Sequence, residues 1–142
     1  MPFSIFADSD VVISSLISST GAAYLLLNQT HDLKFYISNL SQEELERVAD
    51  RLNISQSKLE TLVKNRLHVK TLNNTVEEAR EQYKEYVLDI HDAHIVLGAK
   101  EVKARFLITY NTKHFLIDKI KQDFNIIVTT PANFLQYLRS LE

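Results

Sequence analysis

Short apolar runs separated by polar turns alternate along this chain with longer stretches in which apolar residues recur at helical spacing. The runs have the length of β-strands and the spaced stretches have the length of helices. The pattern predicts strands near 3–7, 33–38, 68–72, 106–108 and 125–129. It predicts helices near 21–28, 41–52, 55–67, 75–87, 89–99, 114–121 and 131–138, with an irregular or helical entry at 11–17.

Several predicted strands are apolar throughout, which is typical of a parallel sheet covered by helices on both faces. The chain has 142 residues, the length of one domain with a sizeable core. The sequence therefore predicts a three-layer α/β/α sandwich around a mostly parallel sheet of four or five strands, with 1–142 as a single domain.

Helix-start signals support several of these assignments. Ser41 with Glu44, and Thr75 with Glu78, have the spacing of a capping box, in which a hydroxyl and a glutamate satisfy each other's backbone N–H groups. Pro131 suits the first position of the last helix. These signals predict where the helices begin.

Residues 89–115 combine an apolar helix, a buried strand and a polar turn. Asp89 and Asp92 lie three residues apart at the predicted helix entrance, so their carboxylates project from nearly one face. Thr109 and Asn111 directly follow the strand at 106–108. In a parallel α/β fold, binding sites form where such strands end and such helices begin.

Composition excludes several classes of protein. There is no cysteine, which excludes disulfides and thiolate metal sites and suits a reducing cytoplasm. No apolar run approaches membrane-spanning length, and no basic leader is present, so no membrane association is expected. The chain has two glycines and no glycine-rich phosphate loop, which argues against a nucleotide-binding enzyme of the familiar motif classes. The net charge of −2 means that RNA binding would need local Lys/Arg patches, metal ions or a partner's charge.

Acidic and polar side chains are predicted to meet at one edge of the sheet, because right-handed crossovers bring the ends of all parallel strands together. They are Asp8 after the first strand, Glu44 in the first turn of the next helix, Asp89 and Asp92 at 89–92, and Asn111. Unpaired carboxylates repel one another, and a divalent cation usually resolves the repulsion. All-oxygen ligands suit Mg²⁺ or Mn²⁺, which indicates phosphodiester hydrolysis.

Each of these residues also has a simpler interpretation. Asp8 fits a strand-end turn, Glu44 fits the capping box, and Asp89 and Asp92 fit ordinary capping acids. His91 and His94 have the spacing of a metal pair on a helix, but a zinc site needs a third ligand that the sequence does not supply. A receiver-type signalling domain also gathers acids at strand ends, but the predicted third strand lacks the required Asp.

Four segments, in chain order, resemble the motifs of the PIN domain family and, within it, the VapC-like toxins of toxin–antitoxin pairs. They are IFADSDVVISSLIS, YISNLSQEELERV, DIHDAHIVLGA and FLITYNTKHF. With the closing IIVTTPANFL, the resemblance covers nearly the whole chain. It implies catalytic, metal-binding acids at Asp8, Glu44 and Asp92, with supporting positions at Asp10, Asp89, Thr109 and Asn111.

The resemblance further implies a Mg²⁺- or Mn²⁺-dependent endoribonuclease and a small antitoxin whose C-terminal segment covers the acids. Apolar helices around 11–27 and 59–67 offer a groove for this partner or a homodimer face, or they complete the core. The family's fourth acidic position is Asn111 here, which weakens the case for two metal ions. Two alternatives stay open: a catalytically weak interaction module on the same scaffold, and a housekeeping RNA-processing nuclease.

Overall fold

The structure, a computed structural model, describes residues 4–29 and 32–142. Five strands form one parallel sheet in the order β3-β2-β1-β4-β5. The strands are β1 (Ser4–Ala7), β2 (Lys34–Ser38), β3 (Leu67–Lys70), β4 (Phe106–Ile108) and β5 (Ile127–Thr129). The predicted first strand also included Phe3, which lies outside the described residues.

The described residues form eight α-helices on the two faces of the sheet. They are α1 (Ser9–Ile17), α2 (Ala22–Gln29), α3 (Asn39–Arg51), α4 (Gln56–Arg66), α5 (Val76–Tyr83), α6 (Ala93–Glu101), α7 (Ile117–Phe124) and α8 (Pro131–Ser140). Short 3₁₀ turns at Lys84–Tyr86, Ile90–Asp92 and Thr112–His114 lie between the later elements.

Alternate residues of the strands divide the interior into two cores. Ile5 of β1 and Phe106 of β4 face one core, which α1–α4 and α8 complete. Phe6 and Leu107 face the other core, which α5, α6 and α7 complete. Because both faces of the sheet are covered, the central strands β1 and β4 are buried almost throughout. The predicted three-layer α/β/α sandwich is confirmed.

Helix α3 begins earlier than the sequence predicted. Its N-cap is Ser38, whose hydroxyl accepts a hydrogen bond from the Ser41 backbone N–H. The predicted Ser41–Glu44 capping box is therefore wrong, and Glu44 lies beyond the first turn of α3, with its side chain free for other contacts. The Thr75–Glu78 capping box of α5 is confirmed, with both reciprocal hydrogen bonds present.

Other boundaries also differ from the prediction. Helix α6 begins at Ala93, after a 3₁₀ turn that Asp89 caps, so Asp89 and Asp92 do not share the first turn of one α-helix. Helix α7 begins at Ile117 rather than near 114, because 112–114 form their own 3₁₀ turn. Asn125 adopts a left-handed backbone conformation that ends α7, and β5 starts two residues later.

Within the described ranges, no single helix is long and apolar enough to cross a membrane. One pair, Ser9–Ile17 with Ala22–Asn28, satisfies the length and composition criteria together but bends by 98°.

Candidate active site

The site is built around the junction between β1 and α1, where Asp8 has two structural roles. Its backbone N–H donates to the Ile108 carbonyl at 2.9 Å, which ties the end of β1 to the end of β4. Its carboxylate Oδ1 accepts from the Ser9 backbone N–H at 2.7 Å and caps α1. Asp8 is only 6% exposed, so its side chain is held in place by both elements.

The loop after β4 binds the acids of the β1–α1 junction. The Thr109 hydroxyl donates to Asp8 Oδ2 at 2.9 Å and accepts from the Asn111 backbone N–H at 3.0 Å. Asp10 Oδ2 accepts from the Tyr110 backbone N–H at 3.0 Å and from Asn111 Nδ2 at 3.2 Å. Residues about 100 positions apart in sequence are thereby fixed against one another.

Glu44 reaches this junction from α3. Its Oε1 accepts from the Ser9 hydroxyl at 2.5 Å, and its Oε2 lies 3.7 Å from Nε2 of the buried His94 on α6. Burial acts to raise the pKa of Glu44, but interactions with His94 and the hydrogen bond from Ser9 outweigh it, so the pKa is lowered. Its partners within the fold therefore favour the carboxylate form of Glu44.

Asp92 lies at the start of α6 and belongs to a second local group. Its Oδ2 is 3.2 Å from His114 Nδ1 in the 3₁₀ turn before α7. Possible ligand atoms of Asp89, Asp92 and His114 all lie within 4.8 Å of one another. In the described part of the chain, this is the one such group of at least three histidine or acidic side chains. Asp89 is exposed, and its carboxylate accepts from the His91 backbone N–H at 3.0 Å.

The carboxylates repel one another across these elements. Burial raises the pKa of Asp8 well above its ordinary value, and the charges of Asp10 and Asp92 raise it further. Burial likewise raises the pKa of Asp10, despite the backbone hydrogen bond from Tyr110, and Asp92 adds to the effect. The pKa of Asp92 is raised by burial and by Asp89, with Glu44 contributing. The four acids Asp8, Asp10, Glu44 and Asp92 thus lie in one electrostatic field.

The residues present fit a hard divalent cation. Asp10 Oδ1 is buried, and no described residue donates a hydrogen bond of acceptable geometry to it. A buried carboxylate oxygen without a donor is unfavourable unless a cation neutralises it. The possible metal ligands that converge here are mainly carboxylate oxygens, with one imidazole at the rim. This set of ligands suits Mg²⁺ or Mn²⁺ better than zinc.

The structure brings most of the predicted site residues together. Asp8, Asp10, Thr109 and Asn111 form one hydrogen-bonded group. The charge of Asp92 acts on Asp8 and Asp10, and the charge of Glu44 acts on Asp92. Asp89 lies at the exposed rim. The histidine pair of the sequence does not act jointly, because His91 contacts Asp89 whereas His94 faces Glu44.

The predicted set of site residues left out three contacting residues: Ser9, His94 and His114. Ser9 stands between two predicted site acids, and this position was the available signal for it. His94 and His114 contact acids from elements far apart along the chain, and no local spacing indicates those contacts.

Comparison with known proteins identifies the class. The PIN domain family matches residues 4–113, so the chain belongs to the PIN domain family, whose members are nucleases. No curated protein sequence matches the chain.

Solved structures share the fold. A toxin–antitoxin complex from Klebsiella pneumoniae has a chain 23% identical, with a TM-score of 0.63 over 89% of this chain and 97% of that one. VapBC2 from Rickettsia felis, bound to a DNA fragment from its promoter, is 18% identical, with a TM-score of 0.62 over 89% of this chain and 98% of that one. FitAcB from Neisseria gonorrhoeae is 18% identical, with a TM-score of 0.54 over 89% of this chain and 97% of that one.

Proposed function

We propose that this chain is a Mg²⁺- or Mn²⁺-dependent endoribonuclease that hydrolyses RNA phosphodiester bonds. The observation that carries the proposal is the electrostatic field shared by Asp8, Asp10, Glu44 and Asp92 at one edge of a PIN-fold sheet. Such clustering is unfavourable for folding alone, because each buried charge raises the pKa of its neighbours. Function is the simplest reason for the fold to retain it.

In this proposal Asp8, Glu44 and Asp92 hold the ion. When bound, a divalent ion polarises the phosphate and lowers the pKa of a water that it coordinates. The protein's own contribution is orientation. Thr109 fixes the Asp8 carboxylate, and Ser9 with His94 fixes Glu44, so that few side-chain rotamers remain to be ordered when RNA binds.

Asn111 supports the acids without adding a charge. Its side-chain amide donates to Asp10 Oδ2, so it orients Asp10. With an amide at this position and the Glu44 carboxylate already in contact with Ser9 and His94, we propose one bound ion rather than two. Asp10, Asp89, Thr109 and Asn111 act as supporting residues.

We further propose that the protein, with 1–142 as one PIN domain, is the toxin of a toxin–antitoxin pair and works in the cytoplasm. The solved structures that share the fold include toxin–antitoxin complexes, which supports a small antitoxin partner. Such a partner could bind in a cavity of about 600 Å³ between α1, α2 and α4. Leu16, Tyr24 and Leu62 form part of its lining. A basic antitoxin residue would neutralise the acids.

Cleavage of RNA by the purified protein tests the nuclease proposal. Activity should require Mg²⁺ or Mn²⁺, should be lost in EDTA, and should fall by roughly 100-fold or more in Asp8→Asn, a loss on the scale expected when a positioned catalytic charge is removed. The matched control is Asp50→Asn, an exposed acid on α3, which should retain full activity. Unchanged cleavage in EDTA or in Asp8→Asn would show that the metal mechanism is wrong.

Expression in a bacterial host tests the toxin role separately. Growth should stop when the chain is produced alone and resume when the product of an adjacent small gene is co-produced. Robust metal-dependent cleavage without growth arrest would favour a housekeeping nuclease. No cleavage, together with no binding of Mg²⁺ or Mn²⁺, would favour a non-catalytic interaction module.

A further inference from the structure

An aromatic ring stands exposed beside the acid cluster. Tyr110 is 43% exposed, although its backbone N–H donates to Asp10 Oδ2 at 3.0 Å. Both neighbours in the chain are fixed, because the Thr109 hydroxyl binds Asp8 and the Asn111 side chain binds Asp10. The ring of Tyr110 is therefore attached to a rigid piece of backbone, and no contact of this ring with another ring is found in the described structure.

A cation follows in the same loop. Lys113 is exposed, and within residues 4–29 and 32–142 its ammonium group forms no hydrogen bond or ion pair. Lys84 and Lys119, by contrast, pair with Glu81 and Glu85. Lys113 directly precedes His114, whose ring lies 3.2 Å from Asp92. The β4–α7 loop (residues 109–116) thus carries one exposed aromatic and one unengaged cation next to the acids.

This pairing suits a nucleic-acid strand. An unpaired strand presents flat bases, which stack on aromatic rings, and phosphates, which bind cations. The whole chain has a net charge of −2 and several carboxylates at this edge, so phosphates need a local cation to approach.

We infer that the β4–α7 loop binds the RNA strand next to the cleavage point, with a base stacked on Tyr110 and a neighbouring phosphate paired with Lys113. The inference rests on the proposed nuclease function and adds the residues that select an unpaired base. An antitoxin segment is the other possible occupant. Charge favours RNA, because Lys113 repels the basic residue that an acid-neutralising antitoxin would bring to this edge.

Binding to two probes tests the inference. The probes are a short fluorescein-labelled RNA of mixed sequence and an abasic oligonucleotide of the same length, measured by anisotropy with Mg²⁺ in an Asp8→Asn background so that RNA is not consumed. Tyr110→Ala should bind RNA roughly 5- to 100-fold more weakly and bind the abasic probe unchanged, as expected for loss of one stacked base. Tyr110→Phe should behave like the parent.

Lys113→Gln should weaken binding to both probes equally and reduce the slope of affinity against salt by about 1. The control is Leu52→Ala. It removes an exposed apolar side chain at the C-terminal end of α3 and should leave the affinity for both probes unchanged. The inference is overturned if Tyr110→Ala leaves RNA binding unchanged, weakens both probes equally, or affects only inhibition by an antitoxin. Absence of RNA binding by the parent also overturns it.

The same experiment separates this inference from the nuclease proposal. If the protein with Asp8 intact cleaves RNA but Tyr110→Ala binds normally, only the role of the loop is wrong. If that protein binds RNA with a base preference that depends on Tyr110 but cleaves nothing, the loop assignment holds and the nuclease proposal fails.

Discussion

At the scale of single residues, Asp8 shows how structure and proposed chemistry share one side chain. It ends β1, caps α1 and accepts from Thr109, so its position is set by folding. Its charge nevertheless lies close to the charges of Asp10 and Asp92, and the pKa of its carboxyl group is raised well above the ordinary value of 3.8. A residue that is well placed but electrostatically strained is a reasonable candidate for cation binding.

The raised pKa of Asp8 predicts a pH-dependent stability in the absence of metal. The folded protein retains a proton that the unfolded chain releases, so the free energy of unfolding should fall as pH rises above the ordinary value of 3.8. Asp10 and Asp92, whose pKa values are also raised, act in the same direction. Chemical denaturation in EDTA from about pH 4 to pH 8 measures this slope.

Asp8→Asn should make that slope shallower, whereas the exposed control Asp50→Asn should leave it unchanged. The lowered pKa of Glu44 contributes stability that is present above its ordinary value of 4.5 and is lost toward lower pH, so it opposes this slope only at the acid end of the window and adds no slope above it. A stability that rises with pH in EDTA, or a slope unaffected by Asp8→Asn, would contradict this account.

At the scale of elements, helix α6 packs unusually close to the sheet. A Cβ atom at Gly98 would lie 2.5 Å from Phe6 Cζ and 2.6 Å from Phe6 Cε2, and Phe6 is fully buried. Only glycine permits this approach at this point of α6. The close packing holds the helix that begins just after Asp92 against the strand that ends just before Asp8.

Gly98→Ala should therefore destabilise the fold, although alanine favours helix formation. Overpacking a core typically costs about 1–3 kcal/mol, which exceeds the roughly 1 kcal/mol gained in helix propensity. Urea denaturation measures the difference. Gly21→Ala is the matched control, because its nearest neighbour would be Ser18 Oγ at an ordinary 3.6 Å. Equal stabilities of the two variants would show that α6 can move away from Phe6 freely.

Element boundaries also show where local signals are ambiguous. Ser38 and Ser41 are both acceptable N-caps by residue type, and the presence of Glu44 favoured Ser41. In the structure Ser38 caps α3, and Glu44 instead accepts from Ser9, 35 residues away in sequence. At α5 no distant partner of Glu78 is found in the described part of the chain, and the local capping box forms.

At the scale of the whole molecule, the parallel topology determines which residues meet. Strands β1 and β4 are neighbours although about 100 residues separate them, so Asp8 and Thr109 come into contact. Helices α3 and α6 start at the same edge and bring Glu44, His94 and Asp92. The site therefore exists only when the sheet and both helical layers are assembled.

A bound ion should stabilise this assembly. By mass action, Mg²⁺ or Mn²⁺ at about 100 times its dissociation constant should add roughly 2–3 kcal/mol, measured as a rise in melting temperature relative to EDTA. Asp8→Asn, Glu44→Gln and Asp92→Asn should each reduce this rise, whereas Asp50→Asn should not.

His114→Gln distinguishes two possible sets of metal ligands at this edge of the sheet. If Asp8, Glu44 and Asp92 hold the ion, the metal-induced rise persists in His114→Gln and Asp89→Asn. A rise that is lost in these two variants but retained in Glu44→Gln would assign the ion to Asp89, Asp92 and His114 instead.

The sequence by itself determined the order of strands and helices, the layered fold and the residue types at the sheet edge. These follow from local physics: apolar periodicity distinguishes strands from helices, and Thr75 and Pro131 mark helix starts through neighbouring groups. The acids could be named because right-handed parallel connections leave few places for strand ends.

Only the tertiary structure decided how those acids are held. The hydrogen bonds from Ser9 to Glu44 and from Thr109 to Asp8 join residues 35 and 101 positions apart, and no short-range pattern specifies them. The direction of each pKa shift depends on burial and on charges from other elements, which exist only after packing. Asp8 and Glu44 are both acids in the sequence. The fold raises the pKa of Asp8 because this side chain is buried and faces other carboxylates, and it lowers the pKa of Glu44 because interactions with His94 and Ser9 outweigh burial.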